Sequence, residues 1–181
     1  YAVDRAAGVL KAAGVTDFLA QAGGDLYGAG RKPDGSPWVS GIRDPRGREG
    51  EFFATLELTD HAFSTAGDYA RAFFVDGKRY HHIIDPKTGH SASKVRSATI
   101  LAPTAMQTDG LSKTAFVLGA DEALKIIETI PGVDAVLVTP EGKVLYTKGL
   151  QAGDEVVVYS EKAITAGSRI KVVDQLAGSA P

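Results

Sequence analysis

The sequence has no cysteine among its 181 residues. Disulfides, thiolate metal sites and a cysteine nucleophile are therefore excluded. It also lacks an apolar run near 18 residues, so it offers no helix long and apolar enough to cross a bilayer. Charge of one sign is missing too: 20 Lys+Arg stand against 22 Asp+Glu, for a net charge of −2. A nucleic-acid binder needs a basic surface for phosphate contacts, so the balance speaks against that class. Internal repeats and low-complexity segments are absent as well. What is present, 44% hydrophobic and 23% charged residues, is ordinary for a globular domain. The length suits one domain or two small ones, and a core that needs no covalent staples. The chain starts at Tyr1 rather than Met and enters directly into a helical pattern. That start is expected of a piece of a longer protein.

Val3, Ala6, Ala7 and Leu10 recur at helical spacing, and Gly14 supplies a stop, so a first helix is expected. Strands are expected over Phe18–Ala22, Leu26–Ala29, Trp38–Ile42, Phe52–Leu58, Ala62–Thr65, Ala70–Val75 and Val95–Ala102. Asp76-Gly77 marks a hairpin turn between Ala70–Val75 and a partner run Arg79–Ile84. A second helix is expected from Thr104 to Leu118, and a third from Asp121, as its cap, to Ile130. A last hairpin pairs Val133–Thr139 with Val144–Thr147 around Glu141-Gly142, and an apolar run follows at Val156–Tyr159. The tail from Ala177 to Pro181 reads as disordered. Strands and helices do not alternate strictly, so the pattern favours an α+β fold over a parallel doubly wound sheet.

Four segments place polar residues beside glycines at element ends. Gly23-Gly24-Asp25 admits close backbone approach to a ligand beside a carboxylate, or is a plain tight turn. Ser64-Thr65-Ala66-Gly67-Asp68-Tyr69 is a phosphate cradle or an ordinary strand end. In His81-His82-Ile83-Ile84-Asp85-Pro86-Lys87-Thr88-Gly89, neighbouring histidines on a strand face opposite ways, so only one can enter a site. A two-histidine metal site is thereby excluded, and a single general base near Asp85 is left beside the alternative of partly exposed strand residues. Asp109, Ser112 and Lys113 share one face of the second helix. The oxygens of Asp109 and Ser112 suit a hard cation such as Mg²⁺. The alternative is a surface ion pair between Asp109 and Lys113.

Taken in order, these pieces resemble the FAD:protein FMN transferase family, the ApbE-like proteins. The resemblance runs from Tyr1 to about Gly149. It is carried by Tyr1-Ala2-Val3-Asp4-Arg5, Ala22-Gly23-Gly24-Asp25, Thr65-Ala66-Gly67-Asp68-Tyr69, His82-Ile83-Ile84-Asp85-Pro86-Lys87-Thr88-Gly89, Asp109-Gly110-Leu111 and Phe116-Val117-Leu118-Gly119. The resemblance implies an ApbE-like α+β fold, a mixed or antiparallel sheet with packed helices. Residues 1–150 would form the C-terminal part of a transferase domain, with 151–181 as an extension. It implies Mg²⁺-dependent transfer of FMN from FAD to a Ser or Thr of an acceptor protein, with release of AMP. The implied acceptor is a subunit of a membrane redox complex. The implied location is periplasmic, through a lipid anchor on a segment ahead of Tyr1.

Carried over by position, the resemblance implies that Ala2 offers a carbonyl to the metal and that Arg5 and Ile83 lie along FAD. Asp25, Thr65 and Asp85 fall in matching flavin-site motifs. Asp109 would be the metal carboxylate, with Ser112 and Lys113 at neighbouring metal-site positions, and His82 the base. Two departures stand out: Lys113 where the family has a metal-binding Thr, and Ala66 where Ser is common. Three alternatives remain open on sequence grounds: a flavin-binding module without transfer, an FAD pyrophosphatase giving FMN and AMP, and an interaction domain that keeps only the fold.

Overall fold

The computed structural model describes residues 1–147. The expected extension 151–181, with its Val156–Tyr159 run and its tail, lies outside the described residues. The elements are α1 (Ala2–Ala12), β1 (Phe18–Ala22), β2 (Asp25–Ala29), β3 (Trp38–Arg43), β4 (Phe52–Leu58), β5 (His61–Gly67), β6 (Phe73–Val75), β7 (Lys78–Tyr80), β8 (Ser97–Ala102), α2 (Ala105–Leu118), α3 (Ala120–Ile127), β9 (Asp134–Val138) and β10 (Val144–Tyr146). Six strands form one sheet in the order β1-β2-β5-β8-β9-β10. Every neighbour in it is antiparallel, which makes the expected α+β sheet antiparallel rather than mixed over the described residues.

Strand alternation sends successive side chains to opposite faces. On one face Ala66, Ala98, Ile100, Ala135 and Leu137 pack under Ala115, Phe116, Ala123 and Ile127 of α2 and α3. Val3 and Ala7 of α1 join Phe18, Tyr27, Ala29, Ala62 and Ala105 on the same side. On the other face Leu26, Phe63, Val136 and Val138 pack against Ile42, Phe53, Leu56 and Leu58 of the β3–β4 ribbon. The sheet is thus covered by helices on one side and by a two-stranded ribbon on the other. Covering both faces explains why β5 and β8 read as almost continuous small and apolar runs.

Several boundaries shift by a few residues from those expected, α3 for one ending at Ile127 rather than Ile130, and three shifts have an identifiable cause. β7 stops at Tyr80 rather than Ile84 because the next backbone groups are taken locally: the His81 amide donates to Ser91 Oγ at 3.0 Å, and that hydroxyl donates to the His81 carbonyl at 2.8 Å. β6 begins only at Phe73, after Arg71 takes a positive φ of 49°. Asp121 does not cap α3. The cap position is Gly119, without a side-chain bond, and Asp121 lies in the first helical turn. Its carboxylate there favours the positive end of the helix dipole instead.

Candidate active site

Residues 81–92 form a loop closed by its own bonds. The Asp85 carboxylate accepts the Lys87 amide at 2.8 Å, and the Asp85 carbonyl accepts the amides of Thr88 and Gly89. Asp-Pro-Lys-Thr-Gly is thus a turn, with Gly89 at φ 70° supplying the left-handed position. The two histidines part company here. His81 is buried, its Nε2–H donates to the Ala92 carbonyl at 2.9 Å, and its Nδ1 accepts the Ile83 amide at 3.3 Å. It stands edge-on to Phe116, with ring centroids 5.5 Å apart. Burial pushes its pKa below the ordinary value, which keeps the ring neutral. His82 is exposed, and its Nδ1 donates to the Ala70 carbonyl at 3.2 Å. Its Nε2 has no hydrogen-bond partner among the described residues. One histidine is buried and the other exposed, as expected, but both lie in the loop after β7 rather than on a strand, so local bonds and not strand alternation set the division.

Gly23 and Gly24 form the β1–β2 turn with φ of 64° and 100°, a two-residue hairpin that only glycine enters without strain. The turn aims Asp25 across to β5, where its carboxylate accepts from Ser64 Oγ at 2.6 Å. Thr65 goes elsewhere. The alternation that turns Ala62, Ser64 and Ala66 toward the helices sends Thr65 to the ribbon side, where it meets Thr99 at 2.8 Å. Asp25 and Thr65 therefore lie on opposite faces of one sheet.

α1 and α2 meet at their N-termini. The Asp4 carboxylate accepts the amides of Ala105 at 2.7 Å and Met106 at 2.9 Å, so α2 is capped from a residue 101 positions away. This places Ala2 and Arg5, both exposed in the first turn of α1, toward the end of α2 that carries Asp109. Asp109 is half exposed and forms an ion pair with Lys113 through Oδ1, as an i,i+4 helix pair does. Ser112 is fully buried and donates to the Asp109 carbonyl oxygen at 3.0 Å. Among the described residues no three His, Asp or Glu side chains gather into a metal site. Asp109 Oδ2 has no partner among the described residues. One carboxylate oxygen, completed by phosphate oxygens and water, is a common way to hold Mg²⁺, so the donor set fits that ion. Lys113 is its competitor at the same carboxylate.

A protein-family model described as the ApbE family matches residues 1–137. The chain belongs to the ApbE family. It is 34% identical over 144 residues to an FAD:protein FMN transferase of Klebsiella pneumoniae, across 79% of this chain and 41% of the relative. A Treponema pallidum FAD:protein FMN transferase is 33% identical across 83% of this chain and 44% of its own length. The crystal structure of the ApbE protein of Thermotoga maritima superposes with a TM-score of 0.74 at 37% identity, over 82% of this chain and 48% of that one. The chain therefore spans a little under half the length of the curated relatives it matches.

Within this ApbE fold the expected residues form two groups. Ile83 packs in one core with Ala115 and Phe116, two turns or roughly 10 Å along α2 from Asp109. The His82–Ile83 loop and Asp109 thus attach to one helix. Ala2 and Arg5 approach its start, and Thr65 stands apart. The sequence reading missed Asp4 and Ser64 as the residues that hold α2 and Asp25. Asp4 precedes the contact by a hundred residues, and no local spacing signals it. Ser64 could have been found, because strand alternation pairs it, not Thr65, with the face of the following Ala66.

Proposed function

We propose that this chain carries part of an FAD:protein FMN transferase, which moves FMN from FAD to a Ser or Thr hydroxyl of an acceptor protein. The observation that supports it most is His82: an exposed imidazole in the His-Ile-Ile-Asp-Pro-Lys-Thr-Gly turn of an ApbE chain, held through Nδ1, with no partner on Nε2 among the described residues. In this reading the acceptor oxygen attacks the FMN-side phosphorus of FAD. The bond from that phosphorus to the bridging oxygen breaks, AMP leaves with the bonding pair, and the hydroxyl proton passes to His82 Nε2. Positioned base catalysis of this kind contributes on the order of 10²–10⁴-fold. Asp109, with the Ala2 carbonyl nearby, would hold Mg²⁺, which when bound supplies positive charge to the diphosphate. Asp25, steadied by Ser64, would line the flavin; the expected contact of Ile83 with FAD is left to its backbone, because its side chain is buried in the core under α2. Arg5, at the open start of α1, suits the diphosphate end. A redox-complex subunit as acceptor and a periplasmic, lipid-anchored location follow from the resemblance to the family alone.

The test is flavin fluorescence on a denatured acceptor band after incubation with FAD and Mg²⁺. Wild-type chain should label the band, and His82→Ala should lower the rate by about 10²-fold or more with FAD affinity nearly kept. Equal labelling by His82→Ala would remove the histidine from the role. The Asp109–Lys113 ion pair favours a second reading, flavin binding without transfer or hydrolysis of FAD to FMN and AMP. AMP release without acceptor would select hydrolysis, and FAD binding with neither product would select the binding module.

A further inference from the structure

Two ribbons stand apart from the main sheet, and they differ in what covers them. The β3–β4 ribbon buries Ile42, Phe53, Leu56 and Leu58 against the sheet. The β6–β7 ribbon pairs with no other strand among the described residues, and none of its residues joins a core cluster. All three residues of β6 are large, apolar and exposed: Phe73 at 60%, Phe74 at 61% and Val75 at 48%. A two-stranded ribbon is marginal by itself in water and is stabilised by a third strand or a packing surface. Here its own contacts are a stack of Phe73 on Tyr80, with ring centroids 5.6 Å apart, and Arg79 over Phe74 at 4.9 Å. β6 thus offers an unpaired backbone edge with apolar side chains on both faces. An extended chain adds to such an edge as a further strand.

Two observations say which chain fits. The first is place. The ribbon is tied at its base to the candidate general base: His82, two residues after β7, donates to the carbonyl of Ala70, three residues before β6. A segment laid along β6 leads to that contact. The second is charge. Between Asp68 and Arg96 six Lys and Arg stand against three Asp, in a chain whose net charge is −2. Asp68 is engaged by Arg46, and Asp85 by the Lys87 amide. Arg71 and Lys78, on either side of β6, have no carboxylate within 4.0 Å among the described residues. The edge therefore complements a segment that carries acidic as well as apolar side chains.

We propose that β6 is the docking edge for the acceptor protein, and that it takes an extended acceptor segment with apolar and acidic side chains beside the modified Ser or Thr. This rests on the transferase reading, but its test reads binding, so the two fail separately. Short random segments with a central Thr, displayed on phage and panned against the immobilised chain, test it. Retained segments should be enriched in Asp or Glu and in Val, Leu, Ile or Phe. Synthetic peptides of the retained sequences should bind more weakly as salt rises. Phe73→Ser together with Phe74→Ser should weaken them by roughly tenfold or more. Val75→Glu, which sets like charge against the acidic segment, should act in the same direction. Val39→Ser, at an exposed site on the other ribbon, should change nothing. Retention of no segment, retention without that composition, or equal affinity for the doubly substituted chain would overturn the proposal. Peptides that dock on β6 and never acquire FMN would uphold this edge and count against the transfer reaction alone.

Discussion

Replacing Asp4 by alanine should loosen the junction on which the proposed metal site rests. Asp4 accepts two amides at the start of α2, at 2.7 and 2.9 Å. Its side chain keeps 25% of its exposure, so water can reach part of the gap it leaves. Loss of a helix cap costs about 0.5–2 kcal/mol. Loss of a negative charge at a helix N-terminus adds about 0.3–1 kcal/mol. Thr104 keeps its own contact with the Gln107 amide, so one native cap survives. The expected cost is therefore about 1–3 kcal/mol. For a chain of this length each kcal/mol lowers Tm by roughly 2–4 °C, so Asp4→Ala should melt roughly 2–12 °C lower. Asp4→Asn keeps an acceptor oxygen and loses the charge, so it should recover more than half of the loss. Urea unfolding of the three proteins, followed by far-UV circular dichroism, gives the free energies directly. An Asp4→Ala midpoint equal to wild type, or an Asn variant as weak as the Ala variant, would refute the assignment of Asp4 as the charged cap of α2.

Three further outcomes are expected. His81 is held neutral with a folded pKa below its unfolded value, so the unfolded chain binds the extra proton as pH falls below about 6.5. Stability should be full above that pH and decline below it, and His81→Phe should flatten the slope in a pH series of melts. Phe116 is fully buried beneath His81 and the β8 strand, so Phe116→Ala should cost about 3–5 kcal/mol, read by chemical denaturation; a loss under 1 kcal/mol would deny it a place in the core. Lys113→Thr removes an ammonium from Asp109. At about 1 kcal/mol per unit charge at 4 Å in water, and twice that for a divalent ion, Mn²⁺ should bind roughly thirtyfold tighter in the presence of FAD, measured by electron paramagnetic resonance. Unchanged Mn²⁺ affinity would mean that Asp109 is not a metal ligand.

The sequence by itself determined the local elements. β1 and β4 lie where alternation and turn residues put them, and α1 and α2 follow the apolar period and the Thr104 cap. These are short-range consequences of backbone geometry, and they can be read in a window of ten residues. The opposite environments of His81 and His82 agree with the strand alternation expected for them, but the structure ends β7 at Tyr80 and reaches that arrangement through a loop. Only the tertiary structure decided which histidine is buried, because that depends on Phe116 and Ala92 closing over His81. It alone turned Thr65 toward Thr99 and away from Asp25, since the face of a strand is set by what packs on either side. The capping of α2 by Asp4 and the gathering of Arg46, Asp68 and Arg79 join residues far apart in the chain. Such contacts carry no local periodicity. They exist because a six-stranded sheet, covered on both faces, brings distant strand ends to a common edge.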